Sequence, residues 1–288
     1  MNSEAWWLVL IIWGDKYSDD DCNILISSAL RYSQNCAGVL VLTDDLQRKI
    51  DKRATLAPIP EEFNAQELKG GGLPIKICLF DLPIVPLNAP CIYLDLDSVV
   101  LASLDDIPAL LREAKIWTID VFPKRFSVFK RFINKVTGGK KFAIGNSSAF
   151  LFKNGFTGNP TIKFRDQFKR GVIPKKLLHD DRYIAWTMQQ DIRGFSPFLI
   201  SYYRLEFLSS FMFLNYVKSF FRNKYRNDIR VVTFAGSRTK INDIVGSKSI
   251  RDHHNRVGVW SDFLMGGVNR KIERELELFH RDANELIE

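Results

Sequence analysis

The chain has 288 residues, of which 46% are hydrophobic and 26% charged. Those fractions exclude a disordered or low-complexity scaffold and supply enough apolar surface for a core without disulfide or metal staples. Lysine and arginine total 41 against 33 aspartates and glutamates, so the net charge is +8, an excess that favours anionic partners such as nucleotides, phosphorylated substrates, a membrane surface or nucleic acid.

In chain order, Met1 to Ala5 carries Glu4 and no basic residue, and the apolar run Trp6–Trp13 is only eight long. Neither a secretory signal nor a membrane span is expected there. The run has no alternation and predicts a strand buried on both faces, as in a parallel sheet. It stops at Gly14-Asp15. Helical spacing follows over 20–33, with Ile24, Leu25, Ser28 and Ala29 on one side, and then a second buried strand, Gly38–Thr43, closed by Asp44-Asp45. A β-α-β opening implies a right-handed crossover. A turn-rich stretch, 58–74, carries Gly70, Gly71 and Gly72. Ile75–Leu82 predicts a short helix and Cys91–Leu94 a third strand, which runs into Asp95-Leu96-Asp97. Val99–Leu101 continues extended. Asp106–Ala114 predicts a helix with Pro108 in its first turn, Ile116–Phe122 a strand, Phe142–Phe152 a turn feeding a strand, and His179–Gln189 a helix. Arg230–Phe234 is a late strand and Glu273–Glu288 a polar terminal helix. The pattern is α/β: one domain with a mostly parallel central sheet flanked by helices and a basic, aromatic helical C-terminal part. Residues 1–245 form the main domain and 246–288 an extension.

The four cysteines, Cys22, Cys36, Cys78 and Cys91, form no CxxC pair and are expected as free thiols of a cytoplasmic protein. His253 and His254 are adjacent, so their side chains diverge and no histidine metal cluster is expected. Two segments interleave basic and aromatic residues. In 123–141, Phe126, Phe129, Phe132, Ile133 and Val136 share helical spacing among seven lysines and arginines; 207–226 carries Phe207, Phe211, Phe213, Tyr216, Phe220 and Phe221, with Lys218, Arg222, Lys224 and Arg226. Three readings are open: amphipathic helices packed on the core, a patch that meets the inner face of a membrane, or nucleic-acid binding. No nucleic-acid fingerprint is present, and none of that binding is expected.

Asp95 and Asp97 lie two apart after four apolar strand residues. In an extended chain such positions project to one face. The carboxyl end of a parallel strand is where an α/β sheet places its ligand. Two carboxylates there make an oxygen-rich spot suited to Mg²⁺ or Mn²⁺, which neutralises a diphosphate leaving group. An ordinary turn after a strand would use the same residues.

The run Cys91–Val100, followed by Leu104-Asp105-Asp106, resembles the DxD region of nucleotide-sugar glycosyltransferases of the glycogenin and lipopolysaccharide-galactosyltransferase kind (family 8-like), which have the GT-A fold. Other blocks match in order over about residues 6–240. Trp13-Gly14-Asp15-Lys16-Tyr17 resembles the nucleotide-binding turn, and Lys76 the lysine before the DxD strand. Asn146-Ser147 resembles the block that contacts the donor sugar, and Asp180-Asp181 the Asp-Gln pair beside the reacting carbon. Phe234-Ala235-Gly236 with Lys240 resembles the block that closes over the diphosphate. The resemblance implies a retaining, metal-assisted hexosyltransferase. Its donor site would comprise Trp13, Gly14, Asp15, Tyr17, Lys76, Asp95, Asn146, Ser147, Gly236 and Lys240, with Asp180 and Asp181 at the chemistry. Asp95 and Asp97 would hold Mn²⁺ or Mg²⁺, the donor would be a UDP-sugar, and a glycan, lipid-linked or protein acceptor would take the sugar. The chain departs from the pattern at Ala235, where the family has a metal-ligating histidine, at Asp181 in place of glutamine, and at Ile241 in place of proline. A degenerate GT-A-fold module that binds a membrane or partner is one alternative. A haloacid-dehalogenase-like phosphatase with Asp95 as nucleophile is another, although there the motif opens the domain.

Overall fold

The computed structural model describes residues 4–64, 74–120, 128–172, 179–197, 199–202, 229–234, 249–251, 257–259, 271–272, 274–275 and 277–278. In chain order its strands are β1 (Trp6–Ile12), β2 (Cys36–Thr43), β3 (Ala54–Pro58), β4 (Pro90–Leu94), β5 (Ser98–Val100), β6 (Ile116–Ile119), β7 (Asn146–Lys153), β8 (Ile192–Phe195), β9 (Ile200–Tyr202), β10 (Val231–Thr233), β11 (Ser249–Arg251) and β12 (Val257–Val259). The α-helices are α1 (Asp19–Tyr32), α2 (Glu61–Asn64), α3 (Val128–Val136), α4 (Pro160–Lys169) and α5 (Asp180–Thr187). The helices expected at 75–82 and 106–114 are 3-10 segments, Pro74–Phe80 and Ile107–Arg112. The chain divides into two compact units interleaved in sequence.

The first unit is Met1–Tyr17, Asn35–Leu94 and Asp105–Phe195. It holds a seven-stranded sheet in the order β3-β2-β1-β4-β7-β6-β8. Every neighbouring pair is parallel except those of β7, which runs antiparallel to both β4 and β6. The sheet is therefore mostly parallel, and β1, β4 and the second part of β2, Val39–Thr43, are almost wholly buried because apolar side chains line both of their faces. Trp7 pairs with Gly38 across β1 and β2, and its ring lies where a Cβ at position 38 would sit, 2.6 Å away. One side of the sheet is closed by a cluster of Val9, Ile11, Leu40, Tyr93, Phe150 and Phe152 with the segment Pro74–Phe80. Phe80 anchors that segment, its ring centroid 4.8 Å from Phe152 and 5.6 Å from Phe150. Ile75, Ile77, Cys78, Leu79 and Phe80 are all buried, so Lys76 in their midst has one route out, away from the core. α4 starts at Asn159, whose side chain accepts from Ile162 N, with Pro160 at the first helical position. Buried Asn154, just past β7, fixes the turn before β4: its Oδ1 accepts from Leu82 N at 2.8 Å, and its Nδ2 donates to Leu82 O at 2.9 Å and Val85 O at 2.7 Å.

In the first basic aromatic segment, α3 is a helix, but its apolar side does not pack. Phe129, Phe132 and Val136 are 67%, 63% and 68% exposed. The reading of that segment as a helix packed by its aromatic face fails for these residues. The side that turns inward is polar. Asn134 is buried and donates to Lys141 O at 3.0 Å, and half-buried Arg131 donates to Ile192 O at 2.9 Å. The second segment, 207–226, lies outside the described residues.

The second unit is Ser18–Gln34, Asp95–Leu104 and Ser196–Glu288. Ser18 caps α1 with a reciprocal capping box to Asp21, and Asp19, Asp20 and Asp21 fill its first turn. Ile24, Leu25, Ser28 and Ala29 form its buried stripe. β10 lies between β5, antiparallel, and β9, parallel. Glu275 is buried and accepts from Arg31 and Tyr32, both at the end of α1. All four cysteines are free thiols. Among the described residues no helix is long and apolar enough to cross a membrane.

Candidate active site

One of the expected blocks, Trp13–Tyr17, takes its geometry from the carboxyl ends of β1 and β2. The chain turns at Gly14, whose φ of +57° is open to glycine and strained for any other residue. Gly14 N donates to Asp44 Oδ2 at 2.8 Å, and Arg48 donates to Gly14 O at 2.7 Å while lying 3.5 Å from Asp44. Asp44 and Arg48 were no part of the expected site. The signal for Asp44 was there, an acid closing a buried strand at its carboxyl end. Trp13 is 41% exposed and does not belong to the core. Asp15 is exposed, and the Tyr17 hydroxyl is 2.7 Å from Lys16 Nζ, which also lies over the Tyr17 ring at 4.4 Å. The turn thus presents an aromatic face, an acid and a cation.

Three residues from separate blocks meet in the first unit. Lys76 Nζ donates to Ser147 O at 3.2 Å and reaches Ser147 Oγ at 3.4 Å. Ser147 Oγ donates to Asp180 Oδ2 at 3.1 Å, and Lys76 Nζ is 3.9 Å from the same oxygen. Lys76 also sits over the ring of buried Tyr93, on β4, at 5.6 Å. The position of each follows from packing: Lys76 from the buried 3-10 segment, Ser147 from the start of β7, and Asp180 from the first turn of α5, where the helix dipole favours an anion. Asp180 Oδ1 accepts from Asp181 N at 2.6 Å. A lysine, a hydroxyl and a carboxylate held in this way can orient a polyhydroxylated substrate and oppose charge that develops on it.

Asn146 opens β7, and its Oδ1 accepts from Ser148 N at 2.9 Å, which fixes the orientation of the amide. The Asp181 side chain is half-buried, and its Oδ1 accepts from Arg182 N at 2.7 Å. Burial, and then the neighbouring Asp180, push it above the usual carboxylate range.

Asp95 follows Leu94 directly, the last residue of β4, and belongs with Asp97 to the second unit. Asp97 is 6% exposed and immediately precedes β5; its carbonyl accepts from Phe234 N at 2.7 Å. Asp95 is half-buried. Two hard carboxylate donors fit a Mg²⁺ or Mn²⁺ ion that takes its remaining ligands from water and phosphate. Among the described residues there is no group of three or more histidine, cysteine, aspartate or glutamate side chains able to hold a metal. Gly236, Lys240 and Ala235 lie outside the described residues.

No protein-family model matches the sequence, and no curated protein matches it. The fold is that of solved glycosyltransferases. A structure described as the apo form of the bifunctional glycosyltransferase WbbM aligns with a TM-score of 0.52 at 11% identity, over 96% of this chain and 52% of that one. The galactosyltransferase LgtC, in complex with donor and acceptor sugar analogues, aligns with a TM-score of 0.51 at 16% identity, over 96% of this chain and 95% of that one. The chain spans about half the length of WbbM. The mixed α/β architecture with a mostly parallel sheet, expected from the sequence, is the one these enzymes share.

Proposed function

We propose that the chain is a glycosyltransferase that moves a hexose from a UDP-sugar to a glycan, lipid-linked or protein acceptor, with metal assistance and retention of anomeric configuration. The observation that supports it most is the linkage of Lys76, Ser147 and Asp180, three residues far apart in sequence that share one hydrogen-bonded group. In this reading Trp13 stacks on the base and Asp15 bonds base or ribose, with Gly14 and Tyr17 completing the turn. Lys76, Asn146 and Ser147 orient the sugar. The bond from the anomeric carbon to the diphosphate oxygen breaks, and a bond to the acceptor hydroxyl oxygen forms on the same face. Asp180 opposes the positive charge that grows on the anomeric carbon. Asp181, whose carboxyl holds a proton more tightly than usual, receives the one that the acceptor hydroxyl releases. Asp95 and Asp97 would hold Mn²⁺ or Mg²⁺, which would supply charge neutralisation at the diphosphate. Gly236 and Lys240 act on that same group.

Calorimetric titration with UDP, with GDP and CMP as controls, with and without Mn²⁺ and Mg²⁺, tests this on the wild type and Asp97→Ala. Metal-dependent UDP binding, lost in the variant, is expected. Absence of nucleotide binding under either metal would sink the active-transferase reading. The departures at Ala235 and Asp181 favour one second reading, a fold retained for binding without turnover. It predicts that UDP-sugars are neither hydrolysed nor transferred even where UDP binds. Trapping of a phosphate analogue on Asp95 would instead mark a phosphatase.

A further inference from the structure

α3 is inverted relative to a helix that packs on a core. Phe129, Phe132 and Val136 follow at i, i+3 and i+7, and so form one stripe. All three are about two-thirds exposed, at 67%, 63% and 68%. Arg131 and Asn134 lie on the opposite side and are the residues that hold the helix down, Arg131 through Ile192 O and Asn134 through Lys141 O. The helix ends in a glycine turn in which Gly139 N donates to Asn134 O at 2.9 Å and Gly138 N to Lys135 O at 3.2 Å. That turn, with Lys141 N donating to Thr137 Oγ1 at 3.2 Å, brings exposed Lys140 and Lys141 back beside the end of the helix, near exposed Lys135. No aspartate or glutamate occurs anywhere from residue 121 through residue 165.

We propose that α3 is a membrane-contact helix: it lays Phe129, Phe132 and Val136 into the interfacial layer of an anionic bilayer while Lys135, Lys140 and Lys141 meet the lipid headgroups. A short helix with an apolar stripe and flanking lysines has the composition of an interfacial anchor. Charge selects the occupant. The exposed lysines Lys135, Lys140 and Lys141 repel a second copy of the same face, whereas a negatively charged leaflet attracts them. The chain leaves for α3 from the carboxyl end of β6 and returns at Asn146, so the helix belongs to the same excursion that delivers Ser147. The inference does not depend on the transferase reading, because partition onto lipid needs neither nucleotide nor turnover.

The test is co-sedimentation of the full chain with vesicles of phosphatidylcholine, pure or mixed with phosphatidylglycerol. The wild type is expected to pellet with the mixed vesicles, less so in high salt, and to stay in solution with the neutral ones. Phe129→Ser with Phe132→Ser lowers partition by roughly a hundredfold, about tenfold for each ring withdrawn from the interface. Lys135→Glu, Lys140→Glu and Lys141→Glu together lower it by at least a hundredfold, from about fivefold for each cation lost and further from each acid gained. These side chains are exposed, so the circular dichroism of both variants matches the wild type. Equal pelleting of the double phenylalanine variant and the wild type would overturn the proposal, as would indifference of the wild type to lipid charge. So would a wild-type dimer, seen by sedimentation velocity, that the phenylalanine variant dissociates, since the stripe's occupant would then be a second copy.

Discussion

Removing the charge at Lys76 tests whether the group it shares with Ser147 and Asp180 acts as one. Lys76 Nζ and Asp180 Oδ2 are 3.9 Å apart, with side chains 22% and 19% exposed. At an effective dielectric of about 20, unit charges at that distance attract by about 4 kcal/mol. Withdrawing both groups from water offsets more than half of this, which leaves about 1–2 kcal/mol. Lys76→Met keeps the stem and its packing; Asp180→Asn keeps the shape of the acid. In a double-variant cycle read by urea unfolding, the coupling energy is expected at about 1–2 kcal/mol. Donor turnover gives the second arm. A hydrogen bond to a charged group is worth about 1.5–3 kcal/mol, so each single variant slows UDP-sugar turnover roughly ten- to a hundredfold. The double variant is then hardly slower than the worse single one, as for residues that work as a unit. Stability effects that add to within about 0.3 kcal/mol, together with rate losses that multiply, would refute the reasoning.

Asp181→Asn is expected to raise the melting temperature at neutral pH. The folded chain holds the Asp181 proton more tightly than the unfolded chain does, so the stability this group contributes is complete in acid, below the ordinary carboxylate value, and is lost as pH rises through the raised one. The gain in the variant therefore fades in acid, and a pH-independent gain in thermal melts would contradict the assignment. Asn154→Ala removes three buried hydrogen bonds to the turn at Leu82 and Val85, and at about 1 kcal/mol each it costs about 3 kcal/mol in urea unfolding; a loss below about 1 kcal/mol would show that water replaces the amide.

The strands that carry the site were legible because β1, β2 and β4 are unbroken apolar runs, the pattern that two-sided burial imposes. β3 was not, since only Ala57 of its five residues is buried and an edge strand needs no such run. β8 and β9 are three or four residues long and give periodicity nothing to act on. α4 was missed despite a usable signal, Asn159-Pro160, a capping residue followed by the proline of a first turn. The segment with helical aromatic spacing at 123–141 holds a helix, but spacing reports only that the apolar residues share a face. It says nothing about which way that face points. In the site, Lys76, Ser147 and Asp180 would each pass as a surface lysine, a turn serine and a helix-start acid. Only their matching order to a known family singled them out, and only the packing of Phe80 and β7 accounts for their meeting. The bond from Gly14 to Asp44 links residues thirty apart, a pairing that no local pattern encodes.

The reversal of direction at β7 has an evolutionary corollary. Because β6 and β7 are antiparallel neighbours, the chain between Ile119 and Asn146 departs and re-enters at one end of the sheet. Its length is unconstrained by strand register. That stretch, α3 included, can be lengthened, shortened or exchanged as a cassette, while Ser147 stays at the start of β7, a strand that β4 and β6 hold from both sides. New anchoring or acceptor preferences can thus arise by substitution of one excursion, without retuning the lysine, hydroxyl and carboxylate that the rest of the unit holds.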